Sequence, residues 1–530
     1  TIDNMISIYY PGTSAIVSDN GAVTIKNNDR VTGTTGAGNF VFMNSATPYE
    51  PSSSETGSEY QDRAYHFRYS NVGTGVDYES VMVAGTDYHA KRSDAYPVRC
   101  VFEDSAPVIT DLSETQTANC YVVSQTGYYE FDATVRGNGV TALNIVSGDT
   151  YVYRQFDAGM GSTISGIDHV GVLWWQGSLL PGSWWLDFVG RSPSDTEISA
   201  NCPVTVLDGG RLVDGKPLLY VRANENTYGN VGLAAYDANG NILWTWHIWI
   251  QPEIATVSLG DYTLMDRNLG ATYCPGYGDS FDEDNIFAGL GFYYQWGRKD
   301  PFFQPASLTE TGTGTQTWLE KEADGTWTIH ESNAIESRNT IPMSVQNPLV
   351  FYMSPSENAW QTSYQSGNGA INDLWGYVGA NGDAGNSFAK TMYDPCPPGY
   401  RVMQHNVFLT ANICAADHAV QFSFSNDNDN WVYFYTGQET KQETLESDFG
   451  GYVGRILEVQ SGGIWFPNSG AINSAGSFSL SSNNRLATAT PFSGTSMREI
   501  RWWDNRSRYR IQQYSSSYMA DGLVVRCQME

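Results

Sequence analysis

"SMREIRWWDNRSRYRIQQYSSSYMADGLVVRCQ", residues 496–528, reads as three consecutive strands. "TSMREIRWW" and "SRYRIQQY" both alternate with a period of two, and Asp504-Asn505-Arg506 between them is turn chemistry. "GLVVRC" is the third strand, with Leu523, Val525 and Cys527 on one face. Arg501 and Trp503 share a face of the first strand; Arg508, Arg510, Gln512 and Tyr514 share a face of the second. Side by side, the two strands would present a flat patch of Arg, Trp, Tyr and Gln. Between Arg498 and Arg510 there are five arginines, two acids and no lysine.

The rest of the chain makes that patch unusual. Among 530 residues, 57 acids face 29 basic residues, for a formal charge of −28. Such a charge repels nucleic acid, so no nucleic-acid partner is expected. Aromatics reach 13%, with 33 Tyr and 16 Trp. Gly is abundant and helical periodicity is rare, which favours a mostly β chain with many turns. No apolar run reaches the roughly eighteen residues that a membrane-crossing helix needs, so no transmembrane segment is expected. Starting at Thr1 and not Met, the chain is expected to be a processed or trimmed form.

Outward from the tail, three units are expected: 1–105, 106–252 and 253–530. The first reads as short strands with polar turns. The second runs from "ANCYVVSQTGYYEFDATVRGNG" to "NVGLAAYDANGNILWTWHIWI", whose hairpin turns at Asp237–Gly240. Its aromatic strand, Trp244, Trp246, His247 and Trp249, reads as core. The third holds "GFYYQWGRKDPF", "DPCPPGYRVM" and "GGIWFPNSGAIN", with its best helix candidate over 405–421.

Enzyme signatures are missing. The chain has no GxSxG elbow, HExxH, phosphate loop or GxGxxG after a strand. Cys414 and His418 would share a helix face; a packed cysteine and a surface histidine is the preferred reading. Asp427 and Asp429 lack the full spacing of a calcium loop. Seven cysteines without a CxxC pair argue against structural zinc and leave at least one thiol unpaired within the chain. No catalytic residue, metal or cofactor is expected.

"TANCYVVSQTGYYEFDATVRGNG" and "GNILWTWHIW" resemble the β-sandwich module of Bacteroidales-type fimbrillin-like surface proteins. "LMDRNLGA", "FYYQWGRKDPF", "DPCPPGYRV" and the terminal "VRC" resemble the domain often fused to it. That domain is similar to C-type lectin-like folds, including the variable proteins of diversity-generating retroelements. The resemblance implies tandem β-sandwich (fimbrillin/Ig-like) domains followed by a C-type lectin-like α+β domain. It implies an extracellular, cell-surface or pilus-tip adhesin whose ligand face lies near residues 480–520, and it implies that Cys396 and Cys527 approach as a disulfide. A protein or glycan ligand on another surface and neighbouring pilus subunits are the expected partners. The alternative is a structural pilus subunit whose C-terminal hairpin packs against its neighbour.

On that face Trp503, Tyr509, Tyr514 and Tyr518 are expected as anchors, and Arg501, Arg506, Arg508 and Arg510 as directional contacts. Trp502, Asp504, Asn505 and Ser516 complete it, with Asn483 and Asn484 at the rim. The chain lacks the EPN or QPD triplet and the WND of calcium-dependent lectins, so that sugar site is not inherited. Adenine-directed mutation of an AAC codon cannot produce Trp, Gln or Met, so Trp502, Trp503, Gln512, Gln513 and Met519 are expected to be fixed or to arise from other codons. Formylglycine-generating oxidases share a similar fold but need a cysteine pair near the chain end, where only Cys527 lies.

Overall fold

The computed structural model describes residues 107–141, 160–180, 193–259, 261–274, 283–308, 318–356, 358–362, 374–378, 387–405, 462–479, 483–493, 495–505 and 508–530, with short segments elsewhere. The helix expected over 405–421 and the acidic loop with Asp427 and Asp429 lie outside these residues, apart from their ends. The chain is mostly β. It divides into two compact units, Thr1–Ala106 and Pro107–Glu530. In the first, Ala15–Asp19 pairs with Ala22–Lys26, and Arg63–Asn71 is flanked by Phe40–Pro48, Ser80–Val83 and His89–Lys91.

The second unit is built on two large sheets. One has six strands in the order Trp327–His330, Trp318–Lys321, His169–Gly177, Gly229–Tyr236, Ile242–Ile250 and Cys120–Val123. The hairpin joining Gly229–Tyr236 to Ile242–Ile250 turns where Asp237 caps it. The Asp237 carboxylate accepts the backbone N–H of Asn239 and of Asn241, each at 2.8 Å, and Gly240 takes a φ of +82°. The aromatic strand is core: Trp244 and Trp249 are fully buried and Trp246 nearly so. His247 is buried with them beside Asn230, and burial pushes its imidazole down to about 3, so it stays neutral.

The other sheet places the tail. Its main path runs Thr256–Leu259, Tyr262–Asn268, Gly522–Met529, Asn483–Ser493, Ser496–Asn505, Arg508–Tyr518 and Trp431–Phe434. The last strand in sequence, Gly522–Met529, is therefore central. It runs parallel to Asn483–Ser493 and antiparallel to Tyr262–Asn268, Tyr293–Gln295 and Tyr400–Val402. Leu523, Val525 and Cys527 face one core, and Val524 faces another. Cys527 is disulfide-bonded to Cys396, 131 residues earlier.

Arg526, in the same strand, is fully buried without a carboxylate in contact. Its Nε donates to Asn268 Oδ1 (2.9 Å), Nη1 to the carbonyls of Met265 (3.2 Å) and Asp266 (3.0 Å), and Nη2 to that of Trp465 (2.8 Å). The plane also lies 4.5 Å from the Phe466 ring. Burial lowers its pKa to about 10, which leaves it charged at neutral pH.

The two large sheets share a core. Cys120, Leu173, Trp174 and Trp249 belong to the same buried cluster as Met265, Trp296, Phe303 and Val525. Trp174 packs edge-on against Phe292 (5.7 Å) and Phe303 (5.0 Å). Gly232 makes room for it, since a Cβ there would lie 2.1 Å from the indole nitrogen. Polar groups cross the same boundary. Asn230 donates to the Gly270 carbonyl (3.0 Å), Trp249 to that of Ala271 (3.1 Å), and Asn119 to those of Met392 (2.7 Å) and Asp394 (2.9 Å). The buried Lys299–Asp300 pair (2.7 Å) closes on Thr245. The boundary expected at 252/253 runs through this core, and strands from both sides of it share a sheet.

Two outcomes follow for folding. A 253–530 fragment loses Trp174 from Phe292 and Phe303 and the strand His169–Gly177 from Trp318–Lys321, and is expected to aggregate or melt without a cooperative transition, whereas 107–530 melts in one; calorimetry of both proteins decides, and a sharp transition in the shorter one would overturn the shared-core account. Arg526→Lys keeps the charge but loses the planar fork, and is expected to cost about 3 kcal/mol in denaturant unfolding; a loss below about 1 kcal/mol would show that the fork contributes little.

Candidate functional site

The tail face begins on a buried ionic base. Glu499 is fully buried on Ser496–Asn505. Its Oε2 accepts Arg485 Nε at 2.9 Å and Ser517 Oγ at 2.6 Å, and its Oε1 lies 3.0 Å from Arg501 Nη2. Arg485 also reaches Ser517 Oγ, and its Nη2 lies 3.5 Å from Asp521 Oδ2. One carboxylate thus ties together three neighbouring strands. Desolvation pushes the Glu499 pKa up, but the two guanidiniums and the Ser517 hydroxyl outweigh it and hold it below the usual value. Asp521 lies in the turn Met519–Asp521 that leads into the central strand. Burial dominates there, and its pKa rises to about 6 despite Arg485.

Register aligns the patch. Arg501 pairs with Arg485 on one side and Gln512 on the other; Trp503 pairs with Asn483 and Arg510; Asn505 pairs with Arg508. Trp502 pairs with Asn484 and Ile511, and Asp504 with Tyr509. Across Glu499–Arg501 the outer strand carries one extra residue, because Glu499 faces Ser515 while Arg501 faces Gln512. That bulge breaks the alternation that would set Tyr514 beside Gln512. The side chains of Asn483 and of residues 502–515, Arg506 and Tyr514 among them, lie outside the described residues.

At the near end of these strands the side chains are described. Ser516 is exposed, and Tyr518 is 46% exposed opposite Ser496. Phe492 on the adjacent strand is also 46% exposed, with the Arg498 guanidinium 4.1 Å from its ring. Arg498 pairs with Ser516, so Phe492, Arg498, Ser516 and Tyr518 form one corner. Phe492, Arg498, Arg485, Glu499, Ser517 and Asp521 escape a composition-based reading. The signal was Glu499 at i−2 from Arg501, on the same face of a strand.

Two expected residues sit differently from a free ligand face. Asn484 is fully buried and its side-chain amide donates to the Pro467 carbonyl, so it fastens the strand and does not form a rim. Arg501 is partly buried and engaged with Glu499. Among the described residues no group of three or more His, Cys, Asp or Glu could hold a metal ion, and no helix is long and apolar enough to cross a membrane. Cys120 and Cys202 are buried thiols, and Cys274 is partly buried.

No family model, curated protein or solved structure matches this chain.

Asp521 makes the base testable by pH. Its folded pKa, about 6, lies above the ordinary 3.8, so the folded state takes up this proton first as pH falls. The penalty of a buried carboxylate is full above pH 6 and is relieved between about 6 and 4. His247 acts oppositely, because the unfolded chain protonates it first; the comparison must therefore be with Asp521→Asn. From pH 7 to 5 the wild type is expected to gain about 1.4 kcal/mol relative to Asp521→Asn. Denaturant unfolding of both proteins at the two pH values measures it, and parallel curves would mean that Asp521 does not titrate in this range.

Proposed function

We propose that the protein is a surface or pilus-tip adhesin that works by binding, not turnover, through the tail face of residues 483–518. In this reading 1–105 is a fimbrillin-like domain, 106–252 supplies a β-sandwich and 253–530 the C-type lectin-like α+β elements, the last two packed on the shared core. The chain acts outside the cell, and its partner is a protein or glycan on another surface.

One observation carries the reading: the half-exposed rings of Phe492 and Tyr518 and the exposed Ser516 stand on strands fastened by the buried Arg485–Glu499–Ser517 base. Aromatic and Arg side chains on stiff backbone lose little entropy on binding, and they dominate interface energetics. Phe492 and Tyr518 are large apolar side chains left half in water, whereas the other described aromatics are buried or partly buried. The Arg-rich composition of the segment suits an acidic ligand, or one with planar acceptors. In this reading the face is also the segment that a retroelement would diversify.

Sequencing the encoding locus in many clones of one culture tests diversification. A near-copy of the segment for residues 480–527, close to a reverse-transcriptase gene and differing only at template adenines, is expected; a locus without one removes diversification from the proposal. Arg508→Ala combined with Tyr514→Ala tests the face itself, and is expected to leave the melting midpoint within a few degrees of wild type. A large loss of stability would make these residues core instead.

A further inference from the structure

A second cleft lies far along the six-stranded sheet from any tail residue in sequence, and the tail reading does not use it. Trp174 and Trp175 pair with Glu320 and Leu319, but the pairing stops there. A register shift between Val172 and Trp174 turns the strand, and His169–Val172 part from the hairpin Trp318–His330. The wedge between them is a cleft of about 840 Å³, closed by Val204–Val206 and by the end of the helix Ile341–Gln346. Gly210 seals its floor, because its Cα lies so close to the Val170 carbonyl that a Cβ would sit 1.9 Å from that oxygen.

The lining has a definite chemistry. Trp327 is half-buried at the cleft and held in place: its indole N–H donates to Ser199 Oγ and its backbone N–H to Asp195 Oδ1, both at 2.9 Å. With its N–H already used, the indole presents its ring, with the Lys321 ammonium 5.8 Å from the centroid on one side. The Tyr236 ring stacks on His169 at 5.0 Å and forms an apolar wall. Glu320, Glu322 and Gln346 supply oxygens and an amide around the rings, with Lys321 the one cation in the lining. Burial raises the Glu320 pKa, which adds a hydrogen-bond donor to the set whenever the carboxyl is protonated.

A large anion is disfavoured by two carboxyls against one ammonium. His330 Nε2 lies 3.3 Å from Glu320 and 3.8 Å from Glu322, and a purely apolar ligand would desolvate the remaining carboxyl oxygens without replacing their water. A pyranose has an apolar C–H face and a rim of hydroxyls, and so matches both halves of the lining. We propose that this cleft binds a neutral oligosaccharide, with one sugar ring on Trp327 and its hydroxyls on Glu320, Glu322 and Gln346. The volume takes a ligand of about two or three hexose units.

Calorimetric titration of the full chain with maltotriose, cellotriose and triacetylchitotriose tests the assignment, with trigalacturonate as the anionic comparison. At least one neutral trisaccharide is expected to bind, with Trp fluorescence changing in parallel, and to bind at least tenfold more tightly than trigalacturonate. Trp327→Ala is expected to weaken that binding tenfold or more. Gln346 is exposed on its helix, so Gln346→Ala leaves the core untouched and still weakens binding about threefold, which separates a lost contact from a lost fold. No heat with any neutral probe, equal binding of trigalacturonate, or affinity unchanged in both variants overturns the proposal.

Discussion

A single buried guanidinium organises the larger sheet. Among the described residues, three carbonyls and one side-chain amide, not a carboxylate, satisfy Arg526. Those acceptors come from segments far apart in sequence, Met265–Asn268 and Trp465, so the charge is stable only when both have arrived. Removing the guanidinium would strand buried carbonyls, each a loss of about 1–3 kcal/mol. The interaction therefore specifies register as well as adding stability. The neighbouring Cys527–Cys396 bond fixes the same strand covalently to the segment before Tyr400–Val402.

Around that strand the chain separates scaffold from surface. "FYYQWGRKDPF" is interior throughout. Arg298 donates to the carbonyls of Val350 (2.7 Å) and Pro348 (2.9 Å) and lies among the rings of Phe302, Tyr352 and Trp360. Trp296 donates to the Thr488 carbonyl at 3.1 Å, which ties the motif to the strand that begins the tail sheet. In "DPCPPGYRV", Asp394 accepts the N–H groups of Cys396 (2.8 Å) and Val402 (2.9 Å), and Lys390 donates to the Cys396 and Pro397 carbonyls. The polar motif residues spend their hydrogen bonds on backbone inside the molecule.

Much of this architecture was legible in sequence, and the reasons are local. Period-two alternation and the turn residues between them marked the tail strands. Asp237-Ala238-Asn239-Gly240 announced its hairpin through turn chemistry that needs no tertiary partner. The aromatic density of Ile242–Ile250 marked a buried strand. What could not be read was long-range. Nothing in Trp318–His330 says that it joins the sheet of His169–Gly177, since edge pairing depends on where a distant hairpin is delivered. Asn484 looked like a surface residue because its amide is polar; only the approach of Pro467 makes it interior. The bulge opposite Glu499–Arg501 is likewise invisible, because one extra residue in a strand leaves no compositional mark.

The central place of Gly522–Met529 has a consequence for synthesis. Every residue of that strand is translated after the tail it supports. During translation, Asn483–Ser493 pairs with the emerging tail hairpin but has no neighbour on its other side, and the Met265–Asn268 segment has no guanidinium to hold. The sheet closes only when Arg526 and Cys527 have left the ribosome. A frameshift or premature stop anywhere in the tail deletes both, so the chain carries an internal audit of its own reading frame. Only tails translated in register to their end acquire the strand and the disulfide that hold them.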